Sequence, residues 1–187
     1  MNSQPHIGLM LGTARDGRMS ESVFTYIHEK LEARDDVHVT AYDVRNFSVD
    51  KTIYHTDNNP LTQAWRDAVQ TIDAFIIVTP EYNHSYPGEL KLWIDQAAIA
   101  AYAYKPIMVA GVSIGDFGGI RVVEQFTTLI SNFKMMQAGA LYFPKVGEFS
   151  NMSAEEKDTH YADRVSNSID TMVLCHKHLS SLRAELS

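Results

Sequence analysis

The sequence predicts an α/β fold in which a five-stranded parallel sheet carries helices on both of its faces. Two observations lead to this prediction. Short apolar runs rich in β-branched and aromatic residues alternate along the chain with longer segments whose apolar residues recur at helical spacing. The 187 residues also fit one domain, residues 1–187, because domains typically contain about 100–200 residues and no repeat or linker interrupts the chain.

The predicted strands are apolar runs bounded by glycine, proline or polar residues. In chain order they cover residues 6–11, 37–44, 73–78, 107–112 and 136–143. The second run alternates valine and alanine with polar residues, which is the period-two pattern of a strand. The third and fourth are continuously apolar, as expected for strands buried on both faces.

The predicted helices have apolar residues at the three- and four-residue spacing of one helical face. They cover residues 20–34, 61–71, 89–103 and 121–132, followed by a long last helix that starts near residue 154. Residues 47–60 and the polar stretch after residue 143 are predicted to be irregular. Strands and helices that alternate in this way form βαβ units, whose right-handed crossovers place helices on both sides of the sheet.

Composition excludes several classes of function. The formal net charge of −7 argues against nucleic acid as the main partner. No run of about 18 apolar residues is present, so no membrane span is expected, and the first residues lack the features of a signal peptide. The single Cys175 leaves no internal disulfide, and the predicted location is the cytoplasm. No metal site is expected, because no His/Cys cluster has zinc spacing.

Three loops of unusual composition follow the first, third and fourth predicted strands. With a strand order of 2-1-3-4-5, the first and third strands flank the switch point of the sheet, and the fourth lies beside the third. Ligands of open α/β sheets bind outside the carboxyl ends of the strands at this point. We therefore expect the three loops to converge on one crevice.

The first loop has the composition of a phosphate site. Thr13, Ser20 and Ser22 offer hydroxyl groups, and Arg15 and Arg18 offer guanidinium donors. The helix that follows presents unpaired backbone N–H groups at the positive end of its dipole. A second interpretation is open, in which Ser20 only caps the helix and the arginines are solvated. The loop is neither a Walker A motif nor a dinucleotide fingerprint.

The second and third loops have the composition of a ligand site. Residues 79–88 place a carboxylate, a phenol, an amide, an imidazole and a hydroxyl between two prolines, whereas a simple connection needs few of these groups. Residues 113–121 are rich in glycine, which lets a backbone approach a flat ring closely. Together with the first loop, they predict a planar ligand that bears a phosphate.

The order of residues in these loops resembles the NAD(P)H-dependent FMN reductase family. Pro-Glu-Tyr-Asn at residues 80–83, followed by Ser85 and by Pro-Gly at 87–88, resembles the flavin-binding loop of that family. Gly-Thr-Ala-Arg at residues 12–15 is similar to its Gly-Ser-x-Arg pattern, and residues 113–119 are similar to its Ser-x-Gly-x-x-Gly-Gly segment. The resemblance extends from about residue 6 to residue 143.

The resemblance implies a flavodoxin-like three-layer sandwich that binds FMN and uses NADPH or NADH as co-substrate. Hydride would pass to the flavin ring, and electrons would then pass to a quinone, an azo compound, a flavin or a similar acceptor. The alternative is an FMN-binding electron carrier or redox sensor without NAD(P)H activity. The family also implies a homodimer or a dimer of dimers. Trp93 and residues 97–104 would suit the contact, unless they pack on the sheet instead.

The residues predicted to bind the cofactor, from loop composition and from the resemblance together, come from all three loops. They are Thr13, Arg15, Arg18, Ser20, Ser22, Pro80, Glu81, Tyr82, Asn83, Ser113, Gly115 and Gly118. No catalytic side chain is expected, because hydride transfer between rings needs no protein base.

Three side chains in or next to the second and third loops keep more than one interpretation. Glu81 is interpreted as a backbone cap or a subunit contact rather than as a general base. His84 could tune the substrate pocket or could lie on the surface. Phe117 could stack near the ring or pack against the sheet edge.

Overall fold

The computed structural model describes residues 4–57 and 59–186. One five-stranded, all-parallel sheet has the order β2-β1-β3-β4-β5, which is the flavodoxin-like order. The strands are β1 (His6–Leu11), β2 (His38–Asp43), β3 (Ala74–Pro80), β4 (Pro106–Val112) and β5 (Met136–Phe143). The predicted fold class and strand order are confirmed, and each strand boundary lies within two residues of its prediction.

Helices connect the strands and cover both faces of the sheet. They are α1 (Ser20–Glu32), α2 (Pro60–Thr71), α3 (Gly88–Ile94), α4 (Ile99–Tyr102), α5 (Ile120–Asn132), α6 (Val146–Asn151) and α7 (Ala154–Leu186), with a short 3₁₀ helix at Val44–Asn46. Buried side chains of α1, α6 and α7 share one core cluster, and those of α2, α3, α4 and α5 share the other. Within β3, Ile76 and Val78 face the first cluster and Phe75 and Ile77 face the second, so the sheet is buried on both sides.

The prediction of one helix over residues 89–103 is wrong, because the chain forms two short helices there. The carbonyl of Ile94, near the end of α3, accepts a hydrogen bond of 2.8 Å from the Tyr102 hydroxyl. Gln96 is fully buried and donates from Nε2 to the carbonyl of Phe47 at 2.7 Å. Ala98 is extended, with φ −67° and ψ 150°. These side-chain contacts replace helical bonding between α3 and α4.

The stretch after residue 143, predicted to be irregular, contains the short helix α6. Val146 and Phe149 lie three residues apart and are both buried in the core beside α1 and α7. Phe149 packs edge-on against Tyr26 and Phe143, with ring centroids 5.7 and 5.4 Å apart. Two apolar anchors on one helical face therefore outweigh the polar composition of the segment.

The carboxyl ends of β1, β3 and β4 meet at one edge of the sheet. The N–H of Gly12 donates to the carbonyl of Val78 at 2.9 Å, and the N–H of Glu81 donates to that of Val112 at 2.9 Å. A side chain at Gly12 would collide with Leu90, since an added Cβ would lie 2.7 Å from its Cδ2. These contacts extend the strand ladders into the loops and hold the loops side by side.

Candidate cofactor site at the carboxyl ends of three strands

The three loops converge on one cleft, as predicted. The cleft has a volume of about 250 Å³ and receives residues from every one of the loops. Its lining consists of Arg15, Gly17, Arg18, Met19, Ser20, Pro80, Glu81, Tyr82, Val112, Ser113, Ile114 and Val146. Seven of the twelve predicted cofactor residues belong to this set, whereas Thr13, Ser22, Asn83, Gly115 and Gly118 do not.

Two hydroxyl groups of the first loop are directed to protein partners instead of the cleft. Thr13 is fully buried, and its Oγ1 donates to Glu89 Oε1 at 3.1 Å and lies 3.2 Å from the Tyr82 hydroxyl. Ser22 Oγ donates to the carbonyl of Met19 at 2.8 Å. In this structure, both hydroxyls therefore stabilise the loop and the start of α1.

Arg18 holds the first loop from inside. Its guanidinium forms a bidentate ion pair with Asp43 at the end of β2, with Nη1 2.7 Å from Oδ1. Nη1 also donates to the carbonyl of Thr13 at 2.8 Å. Burial raises the pKa of the Asp43 carboxyl, but hydrogen bonds from Arg18 and from the N–H of Arg45 outweigh burial, so this pKa lies below its usual value.

The remaining donors of the first loop fit an anion such as a phosphate. Arg18 Nε and Ser20 Oγ are buried polar atoms without a hydrogen-bond partner among the described residues, and both residues line the cleft. Buried polar groups nearly always have a partner, so these two are suited to a ligand. Arg15 is exposed, and its guanidinium makes no hydrogen bond or ion pair with the rest of the described chain. The N-terminus of α1 adds its dipole.

Ser20 does not cap α1, which was the second interpretation of this residue. Met19 occupies the N-cap position, and no side chain caps the helix. The first-turn N–H groups of Glu21 and Ser22 make only i→i−3 bonds, 3.4 and 3.2 Å long. The hydroxyl of Ser20 is thus left for the cleft.

The second loop is built on a tight reverse turn. Tyr82 and Ser85 exchange two backbone hydrogen bonds of 2.9 Å, and Asn83 and His84 between them both have positive φ, 48° and 67°. Two central residues with positive φ are the signature of a type I′ turn, which favours Asn at its first position. Asn83 and His84 are exposed at the tip, so Asn83 shapes the turn while Pro80, Glu81 and Tyr82 line the cleft.

Glu81 links the second loop to the third. Its carboxylate is about nine-tenths buried and accepts from the N–H of Arg121 at 3.1 Å and from Arg121 Nη1 at 3.2 Å. The N–H belongs to the first turn of α5, which has no other side-chain cap. Of the interpretations of Glu81, the backbone cap is the one that this geometry matches.

We expect Glu81→Gln to slow flavin reduction by less than tenfold, because a general acid or base typically contributes about 10²–10⁴-fold and a cap contributes to geometry alone. Glutamine keeps an acceptor oxygen for the N–H of Arg121. The measurement is stopped-flow bleaching of the flavin by saturating NADPH, after FMN occupancy has been checked. A loss of about a hundredfold or more at full occupancy would place Glu81 in the chemistry.

The third loop contributes Ser113 to the cleft and uses Gly118 for packing, whereas Gly115 is exposed and has open space around it. Ser113 donates from its N–H to the carbonyl of Phe143 at 3.1 Å and from Oγ to that of Gly115 at 3.0 Å. Gly118 is buried with φ 61°, and an added Cβ would lie 2.9 Å from Tyr142 Cβ. This glycine therefore permits close packing against β5.

Phe117 does not pack against the sheet edge. Its side chain is 66% exposed, and the guanidinium of Arg121 lies 5.4 Å from its ring centroid. Ile114, which lines the cleft, is 82% exposed. The third loop thus exposes the large apolar side chains of Ile114 and Phe117 to solvent.

The sequence did not predict three charged residues that lie outside the first loop and form hydrogen bonds with it. Asp43, Arg45 and Glu89 contact that loop from the end of β2, the following 3₁₀ helix and the start of α3. Composition gives no signal for them, because their partners lie 25 to 76 residues away along the chain. Only the register of β1 beside β2 and β3 brings them together.

The sequence matches the profile of the family described as NADPH-dependent FMN reductase over residues 5–147. The chain belongs to this family. The predicted family is therefore confirmed, and with it the predicted class of enzyme, an FMN-dependent oxidoreductase that uses NAD(P)H.

Individual relatives are distant in sequence. The chain is 23% identical to the NAD(P)H-dependent FMN reductase of Saccharomyces cerevisiae over 154 residues, which cover 72% of this chain and 78% of the relative. It is 28% identical to a quinone reductase of Escherichia coli over 127 residues, 65% of this chain and 66% of the relative. These two relatives thus align with this chain over most of its length.

A solved structure shares the fold. The flavoenzyme NAD(P)H:(acceptor) oxidoreductase of Paracoccus denitrificans superposes with a TM-score of 0.71 and 21% identity, covering 93% of this chain and 98% of that one. In the part of our chain that the structure describes, no helix is long and apolar enough to cross a membrane. Over the same residues, no three His, Cys, Asp or Glu side chains are grouped to hold a metal ion.

Proposed function

We propose that the protein transfers electrons from NADPH or NADH, through FMN bound in the cleft, to a quinone, an azo compound, a flavin or a similar small acceptor. The cleft itself carries the proposal. It lies at the switch point of the sheet and combines phosphate donors on one side with a rigid loop on the other. The family match and the relatives named FMN reductase and quinone reductase support the same reaction class.

We assign the phosphate of FMN to the first loop. Arg15 has a free guanidinium, and Ser20 Oγ and Arg18 Nε are buried donors without partners among the described residues. A charge-assisted hydrogen bond to a phosphate is roughly twice as strong as a neutral one. The two unpaired atoms would then gain the partner that their burial requires.

We assign the flavin ring to the cleft wall formed by the second and third loops. The ladder bond from the N–H of Glu81 to Val112 fixes the backbone at Pro80 and Tyr82, and Glu81 ties this backbone to α5. Ser113 lies on the opposite loop. FMN supplies the redox chemistry when it is bound, and the protein supplies orientation and a shielded surface. A wall fixed by backbone bonds can hold the ring at a reproducible angle to the nicotinamide.

The alternative raised by the sequence, an FMN-binding electron carrier or redox sensor without NAD(P)H activity, is the outcome that would overturn this proposal. Anaerobic mixing of the FMN-loaded protein with NADPH and, separately, with NADH tests between the two. Rapid bleaching followed by turnover with a benzoquinone or an azo dye supports the enzyme. A flavin that stays oxidised with both nucleotides, but is reduced by dithionite, would support the carrier.

We keep the homodimer as a proposal and add a second surface to its predicted contact. Of the predicted contact residues, Trp93, Ala97, Ala101 and Tyr102 are buried against the sheet, whereas Ile99 and Ala100 are exposed and remain available. The exposed apolar side chains of the third loop offer a further surface. Sedimentation velocity at several protein concentrations measures the oligomeric state. The cytoplasmic location stays a prediction.

A further inference from the structure

The peptide groups around Ala14 are held by two side chains of opposite charge. Glu89 Oε1 accepts from the N–H of Ala14 at 3.0 Å, and Arg45 Nε donates to the carbonyl of Ala14 at 3.1 Å. Arg45 Nη2 also donates to the carbonyl of Arg15 at 2.8 Å. Each polar backbone atom of Ala14 thus has a charged partner from a distant part of the chain.

Neither charged residue lines the cleft, and each comes from a rigid element. Glu89 lies in the first turn of α3, and Arg45 lies in the 3₁₀ helix after β2. Glu89 also accepts from Thr13 Oγ1 at 3.1 Å. The Tyr82 hydroxyl lies 3.2 Å from Thr13 Oγ1. The first loop is therefore tied to the second loop as well.

We infer that Glu89 and Arg45 are positioning residues, a charged clamp on Ala14 that sets the first loop in the conformation from which Arg15 reaches the phosphate of FMN. This inference rests on the proposed function. The segment between β1 and α1 has no ladder or helix of its own beyond Gly12, so its backbone order depends on side-chain contacts. A loop ordered before binding does not have to be ordered by the ligand, which strengthens binding.

Truncation of either side chain should weaken FMN binding. We expect Glu89→Ala to raise the Kd for FMN roughly tenfold, about 1.4 kcal/mol, and Arg45→Ala to raise it about threefold, because Arg45 is more exposed. The double variant should be less than additive, because both side chains order the same peptide groups. Fluorescence titration of the apoprotein with FMN measures each Kd, and circular dichroism of the bound flavin reports its orientation.

Two other residues provide matched controls. Glu156 accepts from the N–H and the Oγ of Ser153 at 2.8 and 2.9 Å, so like Glu89 it receives one backbone and one hydroxyl donor, here from a residue close in the chain. Arg66 donates to the carbonyls of His55, Asp57 and Asn59, and none of these four residues lines the cleft. Glu156→Ala and Arg66→Ala should leave the Kd for FMN within about twofold, although each removes comparable contacts.

The conservative variants separate positioning from general stability. Glu89→Gln keeps an acceptor oxygen and should recover most of the affinity, whereas Arg45→Lys loses the fork that bridges two carbonyls and should recover little. These two variants also keep the test valid if an alanine variant does not fold. If Glu89→Ala and Arg45→Ala bind FMN with the wild-type Kd and leave the circular dichroism of the flavin unchanged, these residues do not position the first loop. A wild-type protein that binds no FMN would overturn the proposed function instead.

Discussion

Replacement of Arg18 by methionine should lower the free energy of unfolding by about 3 kcal/mol, because it leaves a partly buried carboxylate without its partner. The Arg18 side chain is 3% exposed and that of Asp43 is 28% exposed, which places the effect at the lower end of the range for buried pairs. The variant also loses the bond to the carbonyl of Thr13. Urea unfolding of the apoprotein measures the change.

Arg34→Met is the matched control for this prediction. Arg34 also forms a bidentate pair, with Asp36, and a further ion pair of 2.7 Å with Asp170, but the side chains of Arg34, Asp36 and Asp170 are more exposed, at 21%, 45% and 56%. Exposed ion pairs typically contribute about 0–1 kcal/mol, so this loss should be much smaller. Equal losses for the two variants would show that the Arg18 pair has no special role in holding the loop.

The stability contributed by the Arg18–Asp43 pair should depend on pH. The pKa of Asp43 is lowered in the folded protein. As the pH falls from the pKa of the unfolded chain toward this lower pKa, the unfolded chain therefore binds more protons than the folded protein. The difference in unfolding free energy between the wild type and Arg18→Met should be constant above about pH 5 and should shrink below about pH 4. A difference that persists unchanged at about pH 2 would contradict the lowered pKa.

Arg15→Ala should weaken FMN binding by roughly ten- to a hundredfold, since a hydrogen bond to a charged group contributes about 1.5–3 kcal/mol. The fold should be unaffected, because this guanidinium has no partner in the described part of the chain. Titration of the apoprotein with FMN gives the Kd, and thermal unfolding without FMN checks the fold. Arg164→Ala, on the exposed face of α7, removes the same charge and should have little effect. An unchanged Kd for FMN in Arg15→Ala would mean that the phosphate of FMN does not contact Arg15.

The strands and their order could be predicted because the signals are local and strong. β3 and β4 are continuous apolar runs, and a βαβ alternation allows few topologies. The convergence of the three loops follows from that order. The break after Ile94 could not be predicted, because it depends on hydrogen bonds made by Gln96 and Tyr102 with distant or buried partners.

The cleft was predicted better than the direction of individual side chains. Thr13 and Arg18 have the residue types of a phosphate site, yet Thr13 is engaged by Glu89 and both terminal nitrogens of Arg18 are engaged by Asp43. The spacing of a motif predicts which residues share a loop. It does not predict which of their side chains form hydrogen bonds with residues from other strands and helices. Asn83 is a similar case, because its place in the motif is explained by a positive φ as well as by its amide.

Reconstitution followed by an absorbance spectrum shows whether this cleft binds FMN. The protein is incubated with excess FMN, passed through a desalting column, and measured for flavin and for protein. We predict about one FMN per chain with visible bands shifted from those of free FMN, since the ring enters a shielded site. Arg15→Ala, treated in parallel, should retain clearly less flavin. A wild-type spectrum without flavin bands would show that the cleft does not bind FMN.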